Sequence, residues 1–487
     1  MSVTPSRDPV RGQPGAGGPE GPRTIRTVLV AATAALAGFL FGFDTAVING
    51  AVRAIGEQFE ASGLVLGFSV ASALIGCAIG AWNAGRIADR YGRIRVMLIA
   101  SALFVISALG CGLAFSLYDL VLWRVVGGLG VGAASVIAPA YIAEIAPAHL
   151  RGRLGSLQQM AIVVGIFVAL LSNYSLVAFS GGAANVMFGL ETWRWMFLAE
   201  LVPALLYGAL ALTIPESPRF LVAKQDFKQA AEVLRRFVGG DVNAKIEQIR
   251  KTLAGKPERP SLKVIRGAAV GLAPIVWVGI FLSVFQQFTG INVIFYYSTV
   301  LWQAVGFTEQ HALAITVITS VTNIVTTIGA ILLIDKIGRK PLLLIGATGQ
   351  FVCLGTLAVL FGMAPVVDGV PDLGATAPIA LIAANLFVVF FGISWGPVVW
   401  VMLGEMFDNK IRAMAISVAA AAQWAANFII SMTFPALADI GLAVAYGFYT
   451  LCAFLAIIFV VKFIRETKGV ELEDMDKLEA TYAHAKP

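Results

Sequence analysis

Three ionisable residues, Asp44, Arg124 and Glu200, stand inside stretches otherwise apolar enough to be buried in a membrane. Asp44 is the single charge in the run from Val28 to Asn49. A carboxylate at the centre of a bilayer costs roughly 2.5–3.5 kcal/mol on insertion scales, so it needs a partner, a proton or both. Arg124 cannot usefully deprotonate and, once buried, wants a carboxylate, preferably gripped by both prongs of its fork. Burial favours the neutral form of an acid and a nearby guanidinium favours the charged form. A carboxyl held between the two can take up and release a proton as its exposure changes. Along their helices, Asp44, Arg124 and Glu200 fall at one depth, roughly 9 Å below the same surface at 1.5 Å per residue. Shared depth permits a triad; it leaves open a static ion pair that only fixes helix packing.

A second set of residues suggests different chemistry. The C-terminal apolar stretches carry no central charge, but they hold Gln286, Gln287, Asn292, Asn323, Gln423 and Asn427 with Trp395, Trp400 and Trp424. Carboxamides both donate and accept, as a neutral polyol requires. An indole offers a flat face for C–H groups and an N–H donor. A phosphate or organic-anion carrier would instead call for buried Lys or Arg here. Gln287 and Asn292 are five positions apart, about 140° round an ideal helix, so facing one ligand requires the helix to unwind. Gly290 is the expected break, and Gly396-Pro397 is a second one ahead of Trp400.

The elements that must position these groups follow from composition. The chain is 58% hydrophobic and 13% charged, about half the charge fraction of a soluble domain. Its mean hydropathy is +0.83. Apolar runs long enough to cross a bilayer recur at 27–50, 64–84, 95–116, 119–142, 155–178, 194–213, 269–302, 311–334, 341–362, 377–403, 413–437 and 443–464. This is the pattern of an all-α polytopic membrane protein with twelve transmembrane helices. Lys and Arg cluster at 86–95, 151–153, 219–266, 336–340, 410–412 and 462–468, all on one side of an alternating chain. The asymmetry predicts cytoplasmic N- and C-termini, and it accounts for the net charge of +6 without a nucleic-acid partner. Residues 1–24, rich in Pro, Gly and charge, read as a disordered tail with no cleavable signal.

The chain then repeats itself. The expected divisions are a six-helix half at 25–214, a cytoplasmic helical linker at 215–266, a second six-helix half at 267–465 and a tail at 466–487. In the linker, Phe227, Ala230, Ala231, Leu234 and Phe237 follow a helical period. Asp89 and Arg93 after the second span match Asp335 and Arg339 after the eighth; Glu144 and Arg151 match Glu405 and Arg412. Glu216 and Arg219 in Pro-Glu-Ser-Pro-Arg match Glu466 in Arg-Glu-Thr-Lys-Gly, all at roughly 250 residues' separation, as a duplication requires. Parallel six-helix repeats around a central site are a secondary-transporter plan. Acids and bases at these helix ends are expected to pair between the halves as a latch that breaks when the cytoplasmic side opens.

Together these residues resemble the sugar porter family of the major facilitator superfamily. The carrying segments are Gly85–Arg93, Arg124–Gly132, Pro139–Glu144, Pro215–Arg219, Gln286–Asn292 and Glu466–Gly469, and the match runs from about residue 25 to 472. The bacterial proton-coupled glucose and xylose carriers are the most similar. The resemblance implies a twelve-helix alternating-access transporter, with Asp44 as the proton acceptor and Arg124 and Glu200 as its partners. It places Phe41, Gln159, Gln286, Gln287, Asn292, Tyr296, Asn323, Trp400, Gln423 and Trp424 on the sugar, and Tyr297 at the outer gate. Three positions depart from the family pattern. Arg465 stands for Pro, Phe220 for Trp, and Ile166 for a Gln found in xylose-type carriers, which speaks against xylose as the main substrate.

The expected function is therefore symport of a proton with a monosaccharide, D-glucose or a related hexose, across the cell membrane. The alternatives are a facilitative uniporter and, less favoured, a transporter-like sugar sensor. No metal-ligand spacing, nucleophile–base arrangement or nucleotide-binding loop is present, so neither an enzyme, a cofactor nor a nucleotide is expected. His149, His311 and His484 are scattered, and all four cysteines lie in apolar runs.

Overall fold

The computed structural model describes residues 20–147, 151–239, 241–254, 265, 271–367, 370–407 and 411–468. Most of the expected N-terminal tail, His149, His484, much of the linker beyond Ala254 and the tail beyond Lys468 lie outside them, as do the side chains of Arg151, Asp335 and Arg412. Twelve helices are long and apolar enough to cross a membrane. In order they are Thr24–Gln58, Gly63–Tyr91, Arg93–Gly112, Leu117–Ile145, Ser156–Ser180, Thr192–Ala211, Pro274–Ala304, Glu309–Ile334, Arg339–Met363, Gly374–Glu405, Met414–Ile440 and Leu442–Phe463. Each expected span overlaps one of them. Helices suit hydrocarbon because they satisfy their backbone polar groups internally. The protein is a multi-pass membrane protein. Six crossings in each half bring the ends of the described chain, the linker and the junctions after spans 2, 4, 8 and 10 to one end, called here the basic end.

Small residues set how closely the spans approach. Gly76 and Gly80 of span 2 face the carbonyls of Val125 and Leu129 of span 4, while Gly128 and Gly132 face those of Ala73 and Cys77. A methyl on any of the four would collide with backbone, the least yielding neighbour. Gly42 and Gly165 hold spans 1 and 5 together in the same reciprocal way.

Two junctions are reduced to one residue each. Gly92 (φ +100°) joins span 2 to span 3, and Gly338 (φ +102°) joins span 8 to span 9. Only glycine adopts this backbone without strain, and an added Cβ would also meet the carboxylate of Glu216 or Glu466.

The linker forms helices Pro218–Ala223, Phe227–Val233 (running into a π turn, Leu234–Val238) and Val242–Ala254. Its expected apolar stripe is buried at Ala230, Leu234 and Phe237, whereas Phe227, in the first turn after its Asp226 cap, is exposed. Thr27 donates to the carbonyl of Phe237 (3.2 Å), tying span 1 to the linker.

Hydrogen bonds that join the halves gather at the end opposite the linker. Asn49 of span 1 donates to the Phe295 carbonyl (2.9 Å) and to Ser298 Oγ (3.2 Å), and its Oδ1 accepts from Thr299 of span 7. Arg53 reaches Gln303 (3.2 Å), and the Glu309 carboxylate accepts the N–H of Ala183.

Candidate functional site

In the first half, Asp44, Arg124 and Glu200 are all buried, at 1%, 2% and 1% exposure. Arg124 Nη1 donates to the backbone carbonyl of Asp44 (3.0 Å) and to its Oδ1 (3.3 Å). The expected two-pronged grip is not formed, because one nitrogen serves both acceptors. Asp44 Oδ2 and Arg124 Nε have no hydrogen-bond partner among the described residues. Glu200 sits in the turn between the two helical pieces of span 6, Thr192–Leu198 and Leu201–Ala211. It is near enough to feel the charges of Asp44 and Arg124. Its Oε1 is unpartnered, and no described ion pair joins it to Arg124. The structure thus brings Asp44 and Arg124 into contact and holds Glu200 close by.

In the second half, the break at Gly290 is real. The residue adopts the left-handed conformation (φ +83°, ψ 18°) and divides span 7 into Pro274–Phe288 and Ile291–Ala304. The change of direction removes the angular mismatch between Gln287 and Asn292. Asn292 Nδ2 now donates to Gln287 Oε1 (2.5 Å), Gln287 Nε2 to Gln286 Oε1 (3.3 Å), and Gln286 Nε2 to the Trp395 carbonyl (2.8 Å). These three carboxamides form a chain of donors and acceptors with capacity left for hydroxyl groups.

The second expected break does not occur. Gly396 and Pro397 continue the helix, and the missing Pro N–H is accommodated by a π turn over Phe391–Trp395. At the end of that wide turn, the carbonyls of Trp395 and Gly396 accept from Gln286.

Across the halves, the rings of Phe41 and Trp424 lie 6.1 Å apart. Tyr296 shares a hydrogen bond with Asn427. Tyr297 is buried, donates to the Ser431 carbonyl (2.8 Å) and packs on Phe434 at 5.0 Å. Gln423 and Asn323 are half-buried, and Gln423 Oε1 is unpartnered. Gln159 and Trp400 are exposed.

Among the described residues, the helix-end charges that the structure pairs do so within each half, at the end where the expected latch would form on closure. Arg93 grips Glu144 with two prongs (Nε–Oε2 3.0 Å, Nη2–Oε1 2.9 Å), and Asp89 lies 3.4 Å from the same guanidinium. Glu216 accepts the N–H groups of Arg93 (3.0 Å) and Ile94 (3.2 Å), and Ser217 donates to Glu144. The second half repeats this atom for atom. Arg339 grips Glu405 (3.0 and 2.8 Å), Glu466 accepts the N–H groups of Arg339 and Lys340 (both 3.0 Å), and Thr467 donates to Glu405. Burial pushes the Glu466 carboxyl up, but the backbone donors of Arg339, Lys468, Lys340 and Thr467 outweigh it and hold the group below its ordinary value of 4.5. The reason for this pairing is local: a carboxylate is best satisfied by the first N–H groups of the neighbouring helix, and each half supplies its own.

One contributor escaped the sequence reading. Asn49, five residues beyond Asp44, joins the halves; its only sequence signal was a polar residue at the end of an apolar run. Ser107 of span 3 is a neighbour of the charge pair and no part of it: its hydroxyl is spent on the Trp123 carbonyl (2.9 Å).

Comparison with known proteins agrees with this architecture. The family profile described as "Sugar (and other) transporter" matches residues 30–478. The chain is 58% identical over 454 residues to the glucose transport protein of Synechocystis, covering 92% of this chain and 96% of that protein. It is 38% identical over 479 residues to the D-xylose-proton symporter of Escherichia coli K12, covering 91% and 94%. An inward-open structure of the E. coli xylose transporter XylE superposes with a TM-score of 0.77 at 37% identity, covering 92% of this chain and 99% of that one. The chain belongs to the sugar transporter family, the sugar porters of the major facilitator superfamily.

Proposed function

We propose that this protein imports D-glucose, or a hexose closely related to it, together with a proton, by alternating access. The observation that carries the proposal is the buried contact between Asp44 and Arg124, set apart from a neutral carboxamide chain in the other half. The relatives are a glucose transport protein and a proton symporter, which supports both the substrate and the coupling ion. The site is laid out as two six-helix halves joined by the 215–266 linker, with the basic end and both termini on the cytoplasmic side of the cell membrane.

In this reading, ionised Asp44 holds Arg124. A proton arriving from outside neutralises Asp44, frees Arg124 to interact with Glu200, and permits closure over bound sugar. Gln286, Gln287 and Asn292 hydrogen-bond the sugar hydroxyls, with Gln159, Asn323, Trp400 and Gln423 completing the site on closure and the Phe41–Trp424 pair packing against the ring. Tyr297 and Asn49 close the outer side, and their contacts, with the likeness to an inward-open structure of the xylose transporter, support a state open toward the basic end. The charge clusters around Arg93 and Arg339 brace each half and exchange partners when the basic end closes.

The test is uptake of labelled glucose, galactose and xylose into proteoliposomes, with and without an inward proton gradient. Gradient-dependent accumulation of glucose is expected, and Asp44→Asn should abolish accumulation while exchange of labelled sugar persists. Accumulation by Asp44→Asn would remove proton coupling through this residue. Gradient-independent equilibration by the native chain would make it a uniporter.

A further inference from the structure

Four glycines occupy residues 127–132 of span 4, and one of them does something different from the rest. Gly128 and Gly132 face backbone carbonyls of span 2, and Gly130 faces the Ala100 carbonyl and the side chains of Leu103 and Phe104 in span 3. These are packing positions. Gly127, one turn after Arg124, faces the charge pair instead. A Cβ placed there would overlap Ser107 Oγ and lie 3.1 Å from both Ser107 Cβ and Asp44 Oδ1. Oδ1 is the carboxylate oxygen that accepts from Arg124 at 3.3 Å. Ser107 cannot swing clear without cost, because its hydroxyl is committed to the Trp123 carbonyl at 2.9 Å.

We infer that Gly127 is a positioning residue for proton coupling: its missing side chain is the notch that lets the Asp44 carboxylate reach Arg124. A methyl group at 127 would press on the one oxygen through which the carboxylate meets the guanidinium, and would line that oxygen with hydrocarbon. Both effects disfavour the ionised carboxyl, the first by weakening its ion pair and the second by desolvation. The groups that face Asp44 from the surrounding elements are Arg124 on span 4, Glu200 in span 6, Cys77 on span 2, Cys111 on span 3 and Tyr296 on span 7. Arg124 is the single cation among them, so loosening its contact has no local substitute.

The inference rests on the reading of Asp44 as the coupling carboxyl, and the experiment separates the two. Full-length protein in proteoliposomes is assayed for gradient-driven sugar accumulation and for sugar exchange across external pH, for the native chain, Asp44→Asn, Gly127→Ala, Ser107→Ala and Gly127→Ala/Ser107→Ala. Proton-driven uptake falls as pH rises through the titration of its carboxyl. The native chain and Ser107→Ala should share one midpoint, and Gly127→Ala should move it alkaline by about one pH unit. The exchange KM for sugar should stay unchanged. The double variant relieves the overlap with the Ser107 hydroxyl and retains the contact with Oδ1, so it should keep the shift while recovering folded yield.

A native midpoint in the double variant would overturn the inference and leave the Asp44 reading standing. A double variant that fails to fold would also overturn it, since Gly127 would then be a packing glycine like Gly128. Accumulation by Asp44→Asn would remove the reading on which the inference rests.

Discussion

The two halves of this protein are copies at their basic ends and strangers at their centres. Around Arg93 and Arg339 the same guanidinium fork, the same two N–H acceptors and the same short hydroxyl contact recur with distances that agree within about 0.2 Å. At mid-depth, one half holds Asp44, Arg124 and Glu200, and the other holds Gln286, Gln287 and Asn292. Where both halves must brace a helix end, one solution serves twice. Where one half is proposed to handle charge and the other a neutral ligand, desolvation favours different solutions: Asp44 is buried against a guanidinium, and Gln286, Gln287 and Asn292 satisfy one another in a hydrogen-bond chain.

This contrast can be broken or sharpened at four places. The largest effect is expected at Arg124. Replacing it with Leu leaves a buried carboxylate unpaired, which costs about 3–5 kcal/mol, and adding Asp44→Asn should restore part of the loss. Thermal unfolding in detergent measures both; equal stability for the two variants would mean that the carboxylate left without Arg124 carries no penalty.

Next comes the carboxamide chain. Gln287→Ala strips a partner from Asn292 and from Gln286 and should weaken sugar binding by about 1–3 kcal/mol. That is roughly fivefold to 150-fold in Kd, with the pH midpoint of uptake unmoved. A shifted midpoint would show that the halves do not divide the labour as described.

Asn49 crosses the divide. Asn49→Ala removes three hydrogen bonds to span 7 and should speed hydrogen exchange at 295–299 about fivefold or more. Unchanged exchange would place the outer seal elsewhere.

The smallest effects belong to the copied ends. Glu216→Gln and Glu466→Gln should each cost about 0.3–1 kcal/mol, the usual worth of a carboxylate at a helix N-terminus, and the two losses should match. Because Glu466 is held below its ordinary value of 4.5, its contribution is present above that pH and fades as the pH falls further. The native chain should therefore lose its advantage over Glu466→Gln in acid, as melting curves at pH 7 and pH 3.5 would reveal.

Much of this was legible in the chain because hydrocarbon imposes long apolar helices and a one-sided distribution of Lys and Arg. The break at Gly290 was legible too, since Gln287 and Asn292 could not otherwise meet. What spacing supplies is depth along a helix; what it withholds is rotation about the axis. Hence the shared depth of Asp44, Arg124 and Glu200 was readable, but not which pair would touch or that Arg124 would use a single nitrogen. The π turn before Gly396-Pro397 was hidden for another reason. A Pro in a helix must be accommodated, and a wide turn does so as well as a break, with no residue pattern separating the two.

The one-residue junctions at Gly92 and Gly338 carry a mechanical consequence. A link of a single residue has no slack, and the carboxylate clasped to the helix start on its far side takes up what freedom remains. Spans 2 and 3 cannot slide past one another, and neither can spans 8 and 9. At its junction each pair is anchored to its own half, so spans 2 and 3, like spans 8 and 9, can only pivot about a single residue.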